Sequence, residues 1–106
     1  MAAQAGGLVG GQGGTRIAVR CVVTGKVQGV WYRGWTVEQA TAAGLDGWVR
    51  NRMDGSVEAV FAGRQMVVEA MVENCRHGPP AAQVTDVQVS ETDDPGETGF
   101  HQKPTV

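Results

Sequence analysis

Two runs of alternating residues, Arg16–Thr24 and Val57–Ala62, each stop at a glycine, Gly25 or Gly63, and each is followed by a segment with helical spacing. This repeated order restricts the possible folds more than any other feature of the chain. In the first run Ile17, Val19, Cys21 and Val23 share one side, while Arg16, Ala18, Arg20, Val22 and Thr24 share the other. A period of two is that of a strand covered on one face. In the second run Val57, Ala59 and Phe61 alternate with Glu58, Val60 and Ala62.

The segment Trp35–Ala43 reads as a helix with Ala40 and Ala43 on its buried side. Gly44 provides the left-handed stop. Leu45–Met53 returns as a strand, and Asp54-Gly55 turns it into a hairpin with the next. Arg64–His77 carries Val67, Val68, Met71, Val72 and Cys75 on one face, with Gln65, Glu69 and Glu73 opposite, and ends at Gly78-Pro79-Pro80. Val84, Val87 and Val89 mark a fourth strand. After the polar loop Thr92–Glu97, a short last strand spans Thr98–Lys103, anchored by Phe100. The order is βαββαβ plus a short terminal strand. It predicts an α+β, ferredoxin-like (split βαβ) sandwich, with two helices packed on one face of a mostly antiparallel sheet.

Residues Met1–Gly14 are rich in glycine and almost free of bulky side chains, too little apolar surface to offset chain entropy. We expect a disordered tail over residues 1–15 and one domain over 16–106. At 106 residues the chain can bury a single core. A net charge of -2 argues against binding duplex nucleic acid, although Lys26, Arg33, Arg50 and Arg52 can attract a small anion. No apolar run is long enough to span a bilayer, and no signal peptide pattern opens the chain, so a cytoplasmic location is expected. Cys21 and Cys75 are expected as buried thiols, with a cross-link between sheet and helix geometrically open. His77 and His101 are solitary, so neither a metal site nor a cofactor is expected.

The chemistry concentrates between Gly25 and Asn51. Gly29 lets the loop Lys26–Tyr32 pass close to a ligand. Its N–H groups and the positive start of the following helix suit an anion of phosphate size. Arg33 falls in the first helical turn, where the dipole disfavours a cation unless an anion sits beside it. Asn51 is a poor strand former, so it is either a turn residue before Asp54-Gly55 or a carboxamide that orients an attacking water. Neither segment contains a histidine, a cysteine or paired carboxylates for acid–base or covalent work. That set suits a phosphorylated substrate whose leaving group needs no proton, such as an acyl phosphate.

Gly25-Lys26-Val27-Gln28-Gly29-Val30-Trp31-Tyr32-Arg33, followed by Gly44-Leu45-Asp46-Gly47-Trp48-Val49-Arg50-Asn51, resembles the signature of acylphosphatases. The likeness continues through Asp54–Ala59, Gly78-Pro79 and the ending around Gly99-Phe100 and Pro104-Thr105. The resemblance implies metal-independent hydrolysis of the carboxyl–phosphate bond to a carboxylate and inorganic phosphate. It implies that Arg33 binds the phosphate, Asn51 orients the water, and the backbone of Gln28, Gly29, Val30, Trp31 and Tyr32 forms the cradle. It also places the Tyr32 ring under the loop. Gly34 departs from the family, where a larger and often basic residue is common.

The partner is then a small acyl phosphate, and the protein is expected to act as a monomer. An alternative is a non-catalytic phosphate-binding or interaction module of the same fold. RNA binding would need aromatic residues on the open faces of the two central strands. Arg16, Ala18, Arg20 and Val22 on one, with Glu58 and Val60 on the other, provide none.

Overall fold

A computed structural model describes residues 15–106 of the chain. The elements run β1 (Arg16–Lys26), α1 (Tyr32–Ala42), β2 (Asp46–Asn51), β3 (Val57–Arg64), α2 (Gln65–Cys75), β4 (Gln83–Glu91) and β5 (Phe100–Gln102). The expected tail lies outside the described residues except for Thr15, whose carbonyl accepts the N–H of Gln65 at 2.8 Å.

The sheet order is β4-β1-β3-β2-β5. β1 pairs antiparallel with both β3 and β4, and β2 pairs antiparallel with β3. β5 runs parallel to β2, with Trp48 beside His101. Each helix therefore joins two strands that are separated by a third, as the split βαβ arrangement requires. α1 lies over β2 and β5, and α2 lies over β1 and β3. Between the layers sit Cys21, Val23, Val49, Ala59 and Phe61 from the sheet, with Ala40, Val68, Met71 and Cys75 from the helices.

The alternation read in β3 is hidden in the folded protein. Every residue from Val57 to Gly63 is buried, including Glu58, Val60 and Ala62 on the face away from the helices. β3 is central, so side chains of β1 and β2 cover that second face. Val84 and Val87 both pack toward the core because β4 bulges between them, opposite Thr24 and Gly25. Gly25, at φ 121°, admits the bulge: a Cβ there would strike the Gln83 carbonyl and come within 2.8 Å of the Thr85 nitrogen.

α1 begins one turn earlier than its apolar pattern indicates, because the Trp35 N–H bonds the Trp31 carbonyl at 3.0 Å. Its buried face is Tyr32, Thr36 and Ala40. Ala43 is exposed rather than buried, since the helix has already ended. There the Leu45 N–H bonds the Ala40 carbonyl at 2.9 Å and the Gly44 N–H bonds that of Thr41 at 3.0 Å, with Gly44 left-handed at φ 73°. This is a Schellman closure, and it drives Leu45 into the core.

Candidate active site

The loop between β1 and α1 carries two left-handed residues, Gly29 at φ 75° and Trp31 at φ 67°. Nothing lies within 4 Å of where a Gly29 Cβ would stand, so glycine is needed there for backbone conformation and leaves the space above it open. Trp31 is the N-cap of α1 but supplies no capping hydrogen bond, and no acidic side chain occupies the first turn. The positive end of the helix thus has no side-chain compensation.

A pocket of about 200 Å³ opens at this end of α1. Gln28, Gly29, Trp31, Tyr32, Arg33 and Asn51 all line it, so the loop, the helix start and the end of β2 meet as expected. Val30 does not line it; its side chain packs against the core. Val27, Gly34 and Gln102 are lining residues that the sequence reading missed. Gln102 arrives on β5, and its place beside β2 depends on a parallel pairing with no local signal in the chain.

Arg33 is half-buried and makes no ion pair among the described residues. Arg50 and Arg52, grouped with it from sequence, are used elsewhere. The Arg50 Nε donates to Glu58 Oε1 at 2.8 Å, and Arg52 pairs with Asp54 at 3.6 Å. Neither lines the pocket.

Asn51 closes β2, paired with Val57. Its Oδ1 is buried and has no hydrogen-bond partner among the described residues. Such an acceptor is uncommon and calls for a water or ligand group. The backbone around it is held firmly: the Val106 N–H bonds the Asn51 carbonyl at 3.2 Å, and the Gln28 Nε2 donates to the carbonyls of Arg52 and Ser56, both at 2.8 Å. Asp54 Oδ1 closes the following turn by accepting the Ser56 N–H at 2.9 Å and hydroxyl at 2.6 Å. These bonds hold the Asp54 carboxyl below its ordinary range.

Tyr32 opens α1 at the end of the loop. Its ring is buried, and its hydroxyl donates to the Cys75 carbonyl at 2.6 Å, tying the start of α1 to the end of α2. Burial pushes its phenol far above the usual value, so it stays protonated. The two thiols are free and buried. Burial raises Cys21 to about 11 and Cys75 to about 12, which leaves both neutral and unreactive. Among the described residues no three histidine, cysteine or acidic side chains gather as a metal site. No helix among the described residues is long and apolar enough to cross a membrane. What this pocket offers a ligand is backbone donors, one guanidinium and carboxamides.

The acylphosphatase family model matches residues 19–102. A relative named acylphosphatase from Rhizorhabdus wittichii is 60% identical over 91 residues, spanning 86% of this chain and 92% of that one. Among solved structures, an acylphosphatase from Bacillus subtilis superimposes with a TM-score of 0.79 at 35% identity, covering 82% of this chain and 98% of the other. One from Coxiella burnetii gives 0.80 at 32% identity, covering 83% and 93%. The family model spans most of the chain, and relatives and solved structures of that name match over most of their own length: this chain belongs to the acylphosphatase family.

Proposed function

We propose that this protein hydrolyses the carboxyl–phosphate bond of small acyl phosphates, releasing a carboxylate and inorganic phosphate. The loop N–H groups from Gln28 to Tyr32 and the start of α1 receive the phosphate oxygens. The Arg33 guanidinium pairs with two of them and gathers charge as it builds. A water donates to Asn51 Oδ1 and attacks phosphorus. The bond to the acyl oxygen breaks, and its electron pair leaves with the carboxylate, which needs no proton. The proton of the water passes to a phosphate oxygen. Among the described residues no carboxylate, imidazole or thiolate lines the pocket, so the chemistry rests on alignment and electrostatics.

The observation that carries this reading is the buried, unpartnered Asn51 Oδ1 on the wall of the pocket that Arg33 also lines. A purely structural asparagine would have its acceptor satisfied. The near-complete overlap with relatives named acylphosphatase favours an enzyme over a binding module. We propose a monomer in the cytoplasm, where two buried cysteines that remain thiols suit a reducing compartment.

The test is turnover of benzoyl phosphate in the presence of a chelator. Arg33→Ala and Asn51→Ala should each lose about 100-fold or more in kcat, as removal of one transition-state contact does, while circular dichroism stays native. Wild-type rates in both variants would defeat the mechanism, and phosphate binding without turnover would favour the module.

A further inference from the structure

The indole of Trp31 is held in place by the absence of a side chain at Gly34. A Cβ at Gly34 would fall on the Trp31 Nε1, 2.6 Å from its Cδ1 and 2.8 Å from its Cε2. The five-membered half of the ring therefore rests directly on the first turn of α1. Trp31 nonetheless keeps 58% of its surface in solvent, and both residues line the pocket beside Arg33. The backbone bearing this ring is left-handed, at φ 67° and ψ 23°, a conformation unfavourable for a bulky side chain. Trp31 is also the one non-glycine residue of this kind among those described. An exposed aromatic in a costly conformation, seated on a vacant Cβ position at the rim of an anion pocket, is poorly explained by packing. Strain of this kind concentrates where ligands bind.

We infer that Trp31, seated on Gly34, selects the acyl group: the protein prefers acyl phosphates whose carboxyl carbon bears a planar aromatic group. This rests on the acyl phosphate reading above and adds the part of the substrate that the phosphate cradle does not recognise. Trp31 stands at the start of α1 and Asn51 at the end of β2, so acyl group and water approach along different walls. An aromatic acyl group at the rim gains an offset or edge contact with the indole. An acetyl group is too small to gain it.

The experiment compares kcat/KM for benzoyl phosphate and acetyl phosphate in wild type, Trp31→Asn, Trp31→Phe and Gly34→Ala. Asparagine tolerates the left-handed backbone, so it removes the ring with least disturbance of the loop. In Gly34→Ala the new methyl evicts the ring. The benzoyl-to-acetyl ratio should fall about five-fold in Trp31→Asn and in Gly34→Ala, the size of one aromatic contact, and return toward wild type in Trp31→Phe. An unchanged ratio in both Trp31→Asn and Gly34→Ala, with acetyl phosphate still hydrolysed by the wild type, overturns the acyl preference and leaves the hydrolase standing. A wild type that turns over neither substrate overturns both.

Discussion

The side-chain amide of Gln28 donates a 2.8 Å hydrogen bond to the carbonyl of Arg52, the residue after Asn51. The same nitrogen also reaches the Ser56 carbonyl. One carboxamide in the cradle loop thus spaces that loop from the strand end that carries Asn51. Gln28→Leu should remove this spacer while keeping the bulk, and leave two half-buried carbonyls without that donor. We expect a loss of about 1–2 kcal/mol in urea unfolding and a drop of about ten-fold in kcat/KM from misalignment. Wild-type turnover in Gln28→Leu would show that the loop holds its position unaided.

Asn51→Ala should separate stability from activity. Its Oδ1 is a buried acceptor without a partner, so deleting it removes a group that burial penalises. The expected result is an unfolding midpoint at or above that of the wild type, alongside the collapse in turnover. A loss of stability of about 2 kcal/mol or more would mean that Asn51 serves the fold.

Glu58 gives the protein part of its acid sensitivity. The buried carboxylate accepts from Arg20 Nε at 2.6 Å and Arg50 Nε at 2.8 Å. Burial would raise its pKa, but the hydrogen bonds from Arg50 and Arg20 outweigh that and hold it below the usual range. Its contribution is therefore complete above the unfolded-state value, about 4.3, and is lost as pH falls through the lower folded value. Glu58→Gln should cost about 1–2 kcal/mol at neutral pH, less than a fully enclosed pair because both guanidiniums keep contact with water. It should also flatten the acid limb of stability against pH. Urea melts across that range in both proteins measure this, and parallel curves would rule it out.

Phe100 fixes β5. Its ring stacks on Phe61 with centroids 5.3 Å apart, and its backbone is in register with Gly47. Phe100→Ala should lower stability by about 3 kcal/mol, as deletion of a buried aromatic does. Since β5 also brings Gln102 to the pocket, the KM for an acyl phosphate should rise in the same variant. An unchanged KM in a destabilised protein would limit β5 to a structural part.

The strands and the helices were legible because each leaves a local mark. Val19, Cys21 and Val23 alternate, Gly44 and Gly78 stop helices, and Asp54-Gly55 turns. Arg33 and Asn51, by contrast, were set side by side by the resemblance of two separate motifs, and both line one pocket. What escaped was set by distant neighbours. Arg50 and Arg52 look free in the chain, yet Glu58 and Asp54 claim them only once β2 and β3 pair. Gln102 enters the pocket through pairing across half the chain. Gly34 appeared as a simple departure from its family, and only the folded loop shows Trp31 resting on it. The tie from the Tyr32 hydroxyl to the Cys75 carbonyl has no mark in the chain, because its partner lies on the other helix.

The sheet's two borders are unequal. On one side β5 has only three residues, and the adjoining strand is further fastened by the N–H groups of Lys103 to Val49 and of Val106 to Asn51. On the other, β4 presents nine residues with Val89 exposed and no described strand beyond it. Strand addition between molecules, the route to swapped dimers and fibrils, is thus steered to Gln83–Glu91. Self-association begun there would start with two strands, β1 and β3, between it and Asn51 on β2, so early aggregates can retain an open pocket.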